Sequence, residues 1–167
     1  YAMPTLAYHE GLPGHHFQIA LAQESDLPLF RNALTVLGYT EGWALYAERL
    51  AWDLGWYEDD PYGDIGRLQM EAFRAARLVI DTGIHAKGWT YDEALAFFVE
   101  NVGFNSGDNV SSDFEISRYI AWPGQSASYM IGMLEILELR QEAMEELGGN
   151  FNLKEFHNVL LSNGSMP

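Results

Sequence analysis

The spacing of apolar positions predicts helices almost throughout this chain. In 64–85, Leu68, Ala72, Ala75, Ala76, Val79 and Ile80 fall on one helical face, and Met130, Met133, Leu134 and Leu137 do the same in 124–147. Strict two-residue alternation is almost absent, so the expected class is mainly α. A short segment at 3–8 reads as extended. One helix is expected to carry His9 and His15 to about residue 24. Others are expected over 32–54, 64–85, 91–101, 112–121, 124–147 and 153–161. Capping signals punctuate them. Thr90 with Glu93 and Ser112 with Glu115 have capping-box spacing, Asn152 with Glu155 is a weaker version, and Gly148 and Gly164 sit where helix C-caps fall.

Composition narrows the classes of function. The 167 residues suffice for one domain with a core, and 48% hydrophobic with 20% charged residues is the balance of a globular protein. No apolar run approaches the roughly 18 residues that a membrane helix needs. A net charge of −15 argues against nucleic acid; such acidity reads first as solubility, and more sharply as a field that attracts metal ions and cationic substrates. With no cysteine, a metal here must use His, Asp or Glu. The chain starts at Tyr1, and its chemically densest segment follows within eight residues. We therefore expect a piece of a longer protein whose N-terminal region is missing. Neither compartment nor oligomeric state can be read from these residues.

That dense segment is Tyr8-His9-Glu10-Gly11-Leu12-Pro13-Gly14-His15-His16. It opens as a zincin helix does, with His followed by Glu. The usual second histidine comes four residues after the first, which puts both rings on one face with the glutamate beside a metal-held water. Here His15 is six residues on, and a regular helix would rotate it by about 240° net from His9. Pro13 also cannot donate to the His9 carbonyl. A two-residue loop at Pro-Gly would restore the shared face. His9 and either His15 or His16 are thus candidate metal ligands, with the Gly-His junction favouring His15, and Glu10 is the candidate base. Glu41 lies in a largely apolar stretch 26 residues after His15, where a carboxylate is costly unless paired or metal-bound. Glu48, two turns further along the same face, could buttress a ligand histidine, or else pair with Arg49 or Arg77.

These segments resemble the DUF885 family of uncharacterised bacterial proteins. The resemblance rests on His9–His16, on Glu41–Glu48 (Glu-Gly-Trp-Ala-Leu-Tyr-Ala-Glu), on Arg77–His85, on Arg118–Gln125 and on Phe156–Gly164, and so spans nearly the whole chain. It implies a helical gluzincin-like catalytic domain, similar to M32 carboxypeptidases and M3 oligopeptidases, of which this chain would be the C-terminal portion. It further implies Zn2+ held by His9, His15 and Glu41, with Glu10 as general base, acting on a peptide or small amide; the residues also leave open a metal-dependent hydrolase of another amide or ester, and a non-catalytic helical binding module with a structural metal site. In that mechanism the metal polarises the carbonyl, Glu10 moves the proton to the leaving amine, and a further donor steadies the oxyanion. Tyr129, Tyr119 and His85 are the donor candidates, with Tyr129 slightly favoured because it follows the Pro-Gly restart of a long helix. His85 could instead partner a helix dipole. Arg118 and Arg77 could bind a substrate carboxylate, or pair with Glu115 and Asp81. His157 reads as a helix-surface residue.

Overall fold

The computed structural model describes residues 1–102 and 112–167, and within them the chain is helical with no strand. The helices in chain order are α1 (Met3–Glu10), α2 (His15–Glu24), α3 (Leu29–Ala33), α4 (Leu37–Asp53), α5 (Pro61–Lys87), α6 (Tyr91–Val102), α7 (Ser112–Ala121), α8 (Gln125–Leu147) and α9 (Leu153–Leu161). A single 3-10 turn at Gly148–Asn150 separates the last two.

Two cores organise them. Tyr39, Trp43, Leu45 and Tyr46 of α4 pack with Met130, Met133 and Ile136 of α8 and with Leu160 and Leu161 of α9. Phe73 and Ile80 of α5 pack with Phe98 of α6 and with Ile116 and Tyr119 of α7. α4 and α8 cross with backbones in contact. A Cβ on Gly132 would sit 1.8 Å from the Gly38 carbonyl oxygen, and one on Gly42 would sit 2.5 Å from Gly132 Cα. Only hydrogen fits at that crossing, which fixes how far α4 stands from the rest.

Most expected boundaries fall within a few residues of the observed ones, and the exceptions have local causes. Residues 3–8 are helical rather than extended. Pro4 occupies the first turn of α1, where its missing N–H costs nothing, and Thr5 and His9 share the buried face one turn apart. The expected helix over 32–54 is two, α3 and α4. The break at Leu34–Val36 holds two β-branched residues, and the Val36 amide turns to Ser165 Oγ at 2.8 Å. The Thr90–Glu93 box forms, with the Thr90 amide donating to the Glu93 carboxylate and the Glu93 amide to Thr90 Oγ1. Asn152 caps α9 through the Lys154 and Glu155 amides. Ser112, by contrast, is already inside α7, and the Glu115 carboxylate pairs with Arg118.

The apolar face expected on α5 needs correction. Ala76 and Ile80 are buried, but Leu68, Ala72 and Val79 are exposed. Arg67, Arg74, Arg77 and Asp81 are buried in their place. A cationic stripe therefore runs along the inner side of this helix. Leu134 of α8 is likewise half exposed, whereas Met130 and Met133 are core.

Candidate metal centre

His9 closes α1 on its buried side, and Glu10 next to it is exposed. The chain then leaves the helix at Gly11–Gly14 and re-enters at His15, so the continuous helix expected through both histidines is two helices joined by a folded-back loop. Two contacts hold that loop. The indole Nε1 of Trp43 on α4 donates to the Pro13 carbonyl at 2.9 Å. Gly14 lies so close to the end of α1 that a Cβ there would come 1.9 Å from the His9 carbonyl oxygen. The fold-back cancels the rotation of a six-residue spacing and brings the His9 and His15 rings to a centroid separation of 4.7 Å, edge to face. His16 points to solvent. Of the two alternatives, His15 is the one that meets His9.

Glu41, on the first turns of α4, faces both imidazoles. Its Oε2 lies 3.2 Å from His15 Nε2 and 3.7 Å from His9 Nε2. One donor atom from each of His9, His15 and Glu41 falls within 4.8 Å of the other two. Burial works to raise the Glu41 pKa, but the facing imidazoles of His15 and His9 outweigh it and hold the carboxyl down at about 2. For His9 burial works downward, and the carboxylates of Glu41 and Glu48 outweigh it, leaving the imidazole above its usual value.

Glu48 is buried and binds His9 Nδ1 through Oε1 at 2.7 Å, while its Oε2 accepts the Thr5 hydroxyl at 2.5 Å. It is therefore the buttress, and not a partner of Arg49 or Arg77. With Nδ1–H donated to Glu48, His9 turns Nε2 towards Glu41 and His15, and this is the nitrogen whose lone pair a metal would take in place of a proton. Thr5 was not among the sequence candidates. Its signal would have been the four-residue spacing to His9, visible only once 3–10 is known to be helical.

The remaining candidates divide. Tyr129 on α8 stacks near His9, with ring centroids 6.4 Å apart and planes inclined by 17°. Tyr119 is 1% exposed and belongs to the α5–α6–α7 core, with the Arg77 guanidinium carbon 5.5 Å from its ring centroid. His85 is exposed in the last turn of α5, and its Nε2 lies 3.0 Å from the Tyr119 carbonyl, a tie between α5 and α7. Arg118 is paired with Glu115 at 2.7 Å. Arg77 donates to Gln125 Oε1 at 3.2 Å, not to Asp81, whose oxygens take the Gly124 amide and the Ser126 hydroxyl. His157 is half-buried and not free on the helix surface: its Nε2 is 2.8 Å from the Tyr46 hydroxyl, and its ring abuts Trp43.

Residues 1–167 match the family described as bacterial protein of unknown function (DUF885). No curated protein matches the chain. Among solved structures it is similar to the putative lipoprotein from Colwellia psychrerythraea, at 51% identity and a TM-score of 0.93 over 99% of this chain and 28% of that one. It is also similar to a putative lipoprotein of unknown function from Shewanella oneidensis, at 28% identity and a TM-score of 0.89 over 98% of this chain and 29% of that one. The chain thus spans less than a third of either neighbour. These findings overturn the expectation of a zinc-dependent peptidase. The family is one of unknown function, and neither neighbour is described as a peptidase. The physical reason is that a His-Glu…His…Glu pattern fixes donor types and a nearby carboxylate, and nothing in it selects the bond to be cut.

Proposed function

We propose that this chain, which belongs to the DUF885 family of bacterial proteins over residues 1–167, carries a zinc centre built from His9, His15 and Glu41 and used for a hydrolytic reaction. The observation that carries this reading is the approach of their donor atoms to within 4.8 Å of one another, with His9 oriented from behind by Glu48. Two imidazoles and a carboxylate are donors that suit zinc. Zinc–ligand bonds of about 2.0–2.2 Å in a tetrahedron set neighbouring ligands roughly 3.4 Å apart. The two Glu41–imidazole pairs, at 3.2 and 3.7 Å, lie near that separation, and the two imidazole nitrogens are within 4.8 Å of each other.

Three protein ligands leave a fourth position for water, as in catalytic rather than structural sites. Zinc in such a site lowers the pKa of a water towards about 7. Glu10 supplies the carboxylate to take its proton, because it follows His9 directly and is exposed rather than tied into the core. Tyr129, whose ring lies beside His9, is the residue we take as hydrogen-bond donor to a developing oxyanion. The description of both neighbours as putative lipoproteins supports an exported protein.

Zinc analysis after loading and dialysis tests the centre, and turnover of p-nitrophenyl acetate tests the chemistry. The expected result is about one zinc per chain and zinc-dependent turnover. Glu10→Gln should keep the metal and lower turnover by roughly 10²–10⁴-fold. Loss of zinc on dialysis would remove the centre, and unchanged turnover in Glu10→Gln would remove the base.

A further inference from the structure

We infer that Arg74 and Arg77 form an anion-binding subsite beside the proposed metal centre, where a carboxylate or phosphate group of the substrate docks. The inference rests on the zinc reading for its setting but on the arginines alone for its chemistry. Arg74 and Arg77 are 6% and 3% exposed. Arg67, on the same face of α5, is equally buried and fully engaged with Asp64 and Glu71. Its two neighbours are not. Among the described residues Arg74 Nε and Nη1 are buried without a hydrogen-bond acceptor, and so is Arg77 Nε. A buried guanidinium N–H left unpaired is costly, so a cluster of three within one helical turn is a place built for an acceptor that arrives from outside.

The carboxylates at hand are committed elsewhere. Both Glu48 oxygens are taken by His9 and Thr5. Glu41 faces His9 and His15. Asp81 is occupied by the Gly124 amide and the Ser126 hydroxyl. Tyr129 links the arginines to the metal ligands. The Arg77 guanidinium carbon lies 4.4 Å and that of Arg74 5.9 Å from its ring centroid, and the same ring stacks near His9 at 6.4 Å. Arg74 is close enough to Glu41 and Glu48 to interact with both charges. A divalent cation at the histidines would leave this buried group of charges with a positive excess, which an entering anion would relieve. The guanidinium fork suits two-oxygen acceptors, a geometry lysine does not offer.

Calorimetric titration of the chain with succinate, and separately with inorganic phosphate, tests the subsite. Each titration is run on metal-free and on zinc-loaded protein. We expect saturable binding of at least one anion, tighter when zinc is present. Arg74→Met should weaken it at least about tenfold, since a hydrogen bond to a charged group contributes roughly 1.5–3 kcal/mol. Arg74→Lys, which keeps the charge and loses the fork, should fall between the two, and it decides the matter where Arg74→Met does not fold. The stronger of the two anions identifies the group that docks. Absence of binding by both anions, or binding by the Arg74 variants equal to wild type, overturns the inference. Arg74-dependent anion binding in a chain that takes up no zinc would support the subsite and remove the metal reading instead.

Discussion

His9 and His157 are both drawn out of solvent against α4, and their surroundings push them in opposite directions. His9 sits between the carboxylates of Glu41 and Glu48, and its pKa is raised even though burial works against the charge. Among the described residues no carboxylate pairs with His157. Burial, with Arg140 nearby, lowers its pKa to about 4. Arg140 donates to the Tyr46 oxygen at 3.3 Å, so the Tyr46 proton is free to go to His157 Nε2 at 2.8 Å, which is then a neutral acceptor. One imidazole turns Nε2 towards a carboxylate and a second histidine, and the other uses the lone pair of Nε2 to accept the Tyr46 hydroxyl. Burial and ring packing are common to both. The carboxylates and the second histidine distinguish the candidate ligand.

Substitution should separate the two histidines most sharply. His9→Ala should abolish stoichiometric zinc uptake, read by titration with a competing chelator. His157→Ala should leave zinc affinity unchanged and lower stability by about 1–3 kcal/mol in urea denaturation, through loss of the Tyr46 hydrogen bond and the ring packing. Zinc loss in His157→Ala would erase the distinction. Glu48→Gln comes next. It keeps the shape and removes the charge behind His9, and zinc affinity should fall about 10–100-fold, as for other groups that orient metal-bound histidines. An unchanged affinity would make Glu48 a packing residue only.

The pattern behind these expectations was partly open to sequence reasoning. That His9, His15 and Glu41 come together could be read because His-Glu, Pro-Gly and a later glutamate carry their chemistry in residue type and spacing. The course of α9 was equally legible, since Asn152 and Gly164 are local signals. Contacts between segments far apart in the chain were not. Nothing near Trp43 announces that its indole ties down Pro13, and nothing near His157 announces Tyr46. The buried arginines of α5 were hidden for a related reason. Helical periodicity marks the apolar residues as the inner face, yet here Arg67, Arg74 and Arg77 lie inside while Leu68 and Val79 face out.

α4 supplies Glu41 and Glu48 to one histidine and Tyr46 to the other, so a change in its seat should disturb both. Gly132→Ala would force the α4–α8 crossing apart and should cost about 1–3 kcal/mol or more by overpacking. Both zinc affinity and global stability should fall. A loss confined to one of them would show that the two regions are seated independently.

The smallest effect is in pH. In metal-free protein, the stability from His9 is fully present below its unfolded value of 6.5 and is lost as pH rises through its raised folded value. For His157 the sign reverses. Its contribution is present above 6.5 and is lost as pH falls towards about 4. The stability difference between wild type and His157→Ala should therefore shrink between pH 6.5 and 4, as followed by urea denaturation at each pH. A difference that stays constant would mean that His157 titrates as it does in the unfolded chain.

Anomalous diffraction at the zinc edge, from crystals of zinc-loaded protein, addresses the central claim most directly. The account predicts one strong peak about 2.0–2.2 Å from His9 Nε2, His15 Nε2 and a Glu41 oxygen, with His9 Nδ1 still on Glu48. No peak at these three residues, or zinc bound only elsewhere, such as among the exposed acidic groups, would contradict it.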